Sequence, residues 1–122
     1  MKKTILVLTF LASTVVFASG GHFHPKKVAK CDGSTCTEEQ IKASVPAAVK
    51  ELANWNKIDI KWESAKIESI ALKEFRKKGK TLKSWVVALI DETIKDSTKN
   101  KVYLYFLEDG SIFRTNTTGE LK

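Results

Sequence analysis

Proline, glycine, cysteine and histidine are all scarce in this chain, and each scarcity closes off a class of protein. Two prolines and six glycines in 122 residues exclude collagen-like and linker-like chains. Two cysteines, Cys31 and Cys36, can form one staple at most, which is too little for a disulfide scaffold. The only histidines, His22 and His24, precede the region that carries core-forming patterns. No serine or cysteine of that region therefore has a histidine base from its own domain, which removes the usual nucleophile arrangements. No glycine-rich phosphate loop is present. The adjacent carboxylates Asp91-Glu92 and Glu108-Asp109 point opposite ways in a strand or sit in turns, whereas a glycosidase needs two facing one cleft. The expectation is a protein without catalytic activity.

What is present is a globular balance, 43% apolar and 29% charged, in a length that suits one domain. Residues 1–18 read as a secretory signal: Lys2 and Lys3 form the positive region, 5–17 the apolar stretch, and Val16-Phe17-Ala18 the cleavage end. The apolar stretch is shorter than the roughly 20 residues of a spanning helix. The chain is thus expected in the periplasm or secreted, with no membrane attachment after signal removal. Loss of Lys2 and Lys3 lowers the formal net charge from +7 to +5. One basic cluster, Arg76-Lys77-Lys78-Gly79-Lys80 with Phe75 beside it, reads as a hairpin tip kept soluble by charge; the alternative is contact with nucleic acid or anionic lipid, and export argues against nucleic acid.

Residues 19–36 show neither helical nor strand period and read as a flexible arm carrying the histidines and cysteines. Thr37-Glu38-Glu39-Gln40 is a capping box. Ile41, Val45, Ala48, Val49 and Leu52 then follow at helical spacing, with Trp55 extending the stripe. Pro46 lies off that stripe and is expected to kink or restart the helix. Four segments rich in β-branched and aromatic residues predict strands over 67–75, 82–90, 102–107 and 111–116, with Asp109-Gly110 as a hairpin turn. Trp85-Val86-Val87-Ala88-Leu89-Ile90 is apolar on both faces, as a central strand is. The predicted architecture is α+β: one N-terminal amphipathic helix on an antiparallel meander of three to four strands.

The Thr37-Glu38-Glu39 helix start, the Trp85-Val86-Val87 strand, the Asp109-Gly110 hairpin and the closing Thr118-Gly119-Glu120-Leu121 together resemble the PepSY domain over residues 37–122. Pro46 inside the helix and the long stretch 56–80 depart from that pattern. The resemblance implies an extracytoplasmic binding or peptidase-modulating role, usually without catalysis, toward an unknown protein or peptide partner.

Two sets of residues are candidates for function. Tyr103 and Tyr105 share a strand face, and together with Trp62 they form a candidate binding surface, since tyrosine offers rigid contact area with a polar tip. Alternatively loop 91–100 or segment 56–66 covers that face. The second set is metal-directed. His22, His24, Cys31 and Cys36 place four ligands within fifteen residues, suited to copper or zinc. Cleavage after Ser19 would instead make Gly20-Gly21-His22 an amino-terminal Cu(II) or Ni(II) site. In an oxidising compartment Cys31 and Cys36 are expected to pair, which leaves any metal to His22, His24 and the amino terminus. The alternative function is accordingly a periplasmic metal-handling protein.

Overall fold

A computed structural model describes residues 25–121 apart from Asp32 and Ser34. The signal segment 1–18 and both histidines lie outside the described residues. The elements in chain order are β1 (Lys26–Lys27), α1 (Glu38–Asn54), a 3-10 helix (Ile60–Ser64), β2 (Lys66–Lys77), β3 (Lys80–Ile90), β4 (Lys101–Leu107) and β5 (Ser111–Asn116). The strands form one antiparallel sheet in the order β1-β5-β4-β3-β2. This corrects the expected meander of three to four strands. A fifth strand is present, and it comes from the segment read as a flexible arm.

That strand forms for non-local reasons. Lys26 and Lys27 pair with Ile112 and Ser111. The backbone N–H groups of Val28 and Ala29 both donate to the Gly110 carbonyl, and Cys36 N–H donates to the Glu108 carbonyl at 2.7 Å. Ala29 and Cys36 are buried in the core, and Cys31 and Cys36 are joined by a disulfide. Nothing in the dipeptide Lys-Lys announces a strand. Its register is set by the β4–β5 turn it lies against.

Helix α1 begins as its sequence dictates. The Thr37 hydroxyl accepts from Gln40 N–H and the Gln40 side chain accepts from Thr37 N–H at 2.8 Å, while Glu38 and Glu39 sit at the positive helix end. Ile41, Ser44, Val45, Ala48, Val49 and Leu52 are its buried face. The expected restart at Pro46 does not occur. The helix runs unbroken through Pro46, because that residue sits on the exposed side, where water can satisfy the carbonyl left without a donor. The Ser44 hydroxyl, on the buried face, donates to the Ile41 carbonyl. Trp55 is the C-cap residue, exposed and beyond the apolar stripe.

The core lies between α1 and one face of the sheet. Val87 and Leu89 from β3, Val102, Leu104 and Phe106 from β4, and Ile112 from β5 meet Ile41, Val45, Val49 and Leu52 there. Of the two alternating sets on the central strand, the odd-numbered one faces the helix. In β2 a bulge between Ile67 and Ser69 changes the alternation, so that Ile67 and Ile70, three residues apart, pack against the same core. The 3-10 helix adds Trp62, and the residues around it add Ile58 and Ala65.

Candidate binding surface

The tyrosines stand on the sheet face opposite α1, as their alternation with Val102, Leu104 and Phe106 requires. Tyr105 is fully buried. Its ring meets Phe75 edge-on at 6.2 Å and Phe113 at 6.4 Å, and its hydroxyl donates to Asn116 Oδ1 at 3.0 Å. Burial pushes the Tyr105 phenol above its ordinary range, partly opposed by that hydrogen bond. Tyr103 is half-buried. Segment 117–121 folds back over it: Asn116 Oδ1 also accepts from Gly119 N–H, Asn116 Nδ2 donates to the Glu120 carbonyl, and the Gly119 backbone lies directly against the Tyr103 ring. The tyrosine face is thus occupied by neighbours from the chain's own sheet and end. Ile94 of loop 91–100 and Ile58, Trp62 and Ala65 of segment 56–66 pack instead against the core on the helix side.

Trp62 is elsewhere. It is buried on the helix side, with the Lys61 ammonium 5.7 Å from its ring centroid. The structure therefore does not bring Trp62 together with Tyr103 and Tyr105. Trp62 and Tyr105 contribute packing, and only Tyr103 keeps a partly accessible ring.

Asp91 and Asp109, each from an adjacent acidic pair, and Asp96 have structural roles. Asp91 accepts from both the backbone and the hydroxyl of Thr93, and Asp96 does the same with Thr98. These bonds, the hydroxyl one foremost, hold both carboxyls below their usual range. Asp109 accepts from Ser111 N–H in the hairpin turn. The Cys31–Cys36 disulfide fits a compartment outside the reducing cytoplasm, and it leaves no thiolate for metal. Among the described residues no group of three or more His, Cys, Asp or Glu side chains is placed to hold a metal ion, and no helix is long and apolar enough to cross a membrane.

What the sequence did not point to is a groove between α1 and the start of β2. Glu39, Lys42, Ala43, Val45 and Pro46 line one wall, and Glu63, Ala65 and Ile67 the other. Its space, about 470 Å³, is of the size that takes one or two side chains of a ligand. Lys50 holds Glu63 in place at 3.2 Å. Beside the groove runs β2, the last strand of the sheet on that side, and among the described residues no strand pairs with its outer edge. The only sequence signal for this site is Pro46, a proline on the solvent side of a helix, where it leaves the Lys42 carbonyl without its helical donor.

The model of a family of unknown function (DUF6488) matches residues 1–120. No curated protein and no solved structure matches the chain.

Proposed function

The chain belongs to the DUF6488 family, and from that premise we propose that it is an exported binding module, without catalysis, that captures an extended segment of a partner protein or peptide along β2. The single observation that carries this reading is the coincidence of an unpaired strand edge with a groove beside it. Backbone pairing along a strand edge supplies affinity that does not depend on sequence, and a pocket beside it selects one side chain. Here the incoming strand would pair with β2 from Ile67 onward and lodge a small apolar or basic side chain between Ala43, Pro46 and Ala65, with Glu39 and Glu63 at hand. The bulge between Ile67 and Ser69 confines the pairing to one register. The role agrees with the extracytoplasmic binding or peptidase-modulating one that the PepSY resemblance implies, and periplasmic or secreted residence agrees with the disulfide.

The test is a selection of displayed random peptides on the protein and on an Ala43→Trp variant. Ala43 is exposed, so the indole fills the groove without entering the core. The reading expects a shared extended motif enriched on the parent and absent on the variant. No enriched motif, or one indifferent to Ala43→Trp, contradicts it.

A further inference from the structure

The chain's formal excess of +7 resides in two places: Lys2 and Lys3, and the hairpin of β2 and β3. Residues 73–83 hold Lys73, Arg76, Lys77, Lys78, Lys80 and Lys83 against the single acid Glu74, a net +5, so the remainder of the chain is balanced. The position of this charge matters as much as its size. β4 pairs with β3 only from Ser84 to Ile90, whereas β2 and β3 stay paired to Lys77 and Lys80. Residues 73–83 therefore project past the sheet as a two-stranded arm. The ion pairs among the described residues use Lys26, Lys50, Lys66 and Lys101, so Lys73, Arg76, Lys78, Lys80 and Lys83 stand without a carboxylate partner there.

The tip adds an independent observation. Lys78 and Gly79 have φ of 53° and 78°, so both central residues of the two-residue turn are left-handed. Asn-Gly is the favoured pair for such a turn, because a side chain like lysine is strained in that conformation. A cation is kept at the outermost point of the arm in spite of the strain. Strain retained on an exposed residue points to a use for that residue.

We infer that this arm docks on an anionic phospholipid surface. Five of its six cations are lysines, compact hydrated charges suited to the diffuse field of lipid headgroups, whereas planar arginine forks suit bidentate or stacked contacts. The arm's aromatic residue, Phe75, is engaged with Tyr105, so no open ring offers the stacking platform that single-stranded nucleic acid uses. The peptide groove lies at the other end of β2, roughly 30 Å away along the strand. With the arm tip-on, Lys78 and Lys80 meet the headgroups first. Arg76 and Lys83 follow within about one Debye length, so the exposed Leu82 between them reaches the headgroup layer.

The test uses the chain from Ser19 onward, which contains every described element, in sedimentation with vesicles of equal parts phosphatidylglycerol and phosphatidylcholine. Each cation near an anionic surface is worth roughly fivefold in partitioning, so Lys78→Gln/Lys80→Gln/Lys83→Gln should lower it on the order of 100-fold. All three side chains are exposed, and circular dichroism checks that the variant is folded. The control Lys57→Gln/Lys95→Gln/Lys99→Gln removes the same charge elsewhere and should cost far less. Raising salt from about 0.05 M to about 0.3 M should release the parent protein. The groove variant Ala43→Trp should bind vesicles like the parent, which separates this inference from the peptide-binding reading. Four results overturn it: no binding to the anionic vesicles, equal binding to phosphatidylcholine alone, an equal loss in the control triple, or tighter binding of the arm to polyglutamate or to a single-stranded oligonucleotide.

Discussion

Replacing Gly110 by alanine should dislodge the N-terminal strand, and the size of the effect follows from two separable costs. Gly110 has φ of 90°, in the left-handed region where a side chain costs about 1–2 kcal/mol. A Cβ there would stand 2.6 Å from the Ala29 Cβ and 2.9 Å from the Cys36 sulfur, closer than atoms approach. Both neighbours are buried, and Cys36 is tied by its disulfide, so neither yields easily. Overpacking of this kind adds about 1–3 kcal/mol, for a total of about 2–5 kcal/mol. Gly79 is the internal control. Its φ of 78° carries the same conformational cost, but a Cβ there meets nothing within 4 Å. The difference between Gly110→Ala and Gly79→Ala in denaturant unfolding therefore isolates the contact with residues 29 and 36. Hydrogen exchange locates it: the Val28 and Ala29 amides, which donate to the Gly110 carbonyl, should lose protection in Gly110→Ala and keep it in Gly79→Ala. Equal destabilisation by the two substitutions, or unchanged protection of residues 28 and 29, would refute the locked-strand account.

Three further outcomes are expected. Cys31→Ser/Cys36→Ser should lower stability by about 2 kcal/mol, the amount that closing so short a loop contributes, and reductant should do the same to the parent and nothing to the variant. Lys78→Asn should raise stability by about 0.5–1 kcal/mol in thermal unfolding, since asparagine tolerates the left-handed turn position, while weakening any contact the tip makes with anions. Glu51, whose carboxylate accepts from the Trp55 indole and pairs with Lys26 at 3.2 Å, is held below its usual range by that indole hydrogen bond first and by Lys26 next. A lowered folded-state value means that its contribution is present above the ordinary glutamate range and fades as pH falls through the lowered value. The stability gap between the parent and Glu51→Gln should accordingly be widest near neutrality and close in acid; a gap constant with pH contradicts this.

The sequence was most legible where local chemistry decides structure. Thr37 and Gln40 cap the helix by reciprocal hydrogen bonds because both partners sit at fixed spacing, and Asp109-Gly110 turns where its glycine allows the required φ. Helical periodicity likewise named the buried face of α1, since the stripe depends on a single element. Legibility failed where a partner decides. Lys26 and Lys27 become a strand only through Gly110, Cys36 and the edge of β5, none of which a local pattern can express. Trp62 looked like a surface aromatic because it lies in a polar stretch, yet one turn of 3-10 helix, begun by Asp59 accepting from Lys61 N–H, directs it into the core. The tyrosines alternate correctly, but Tyr105 is covered by Phe75 and Phe113 and Tyr103 by segment 117–121 through Asn116, contacts that no local pattern expresses. The groove escaped notice for the same reason, since its two walls are brought together only by packing of α1 on the sheet.

The central claim is that a partner segment pairs along β2 beside α1, and backbone amide exchange measured with and without a bound peptide tests it most directly. With a selected peptide in saturating amount, the account predicts new protection at amides of β2 between Ile67 and Leu72, accompanied by shifts at Lys42, Ala43 and Ala47 on the exposed side of α1. Protection confined to Tyr103 and residues 117–121, with β2 unchanged, would contradict it.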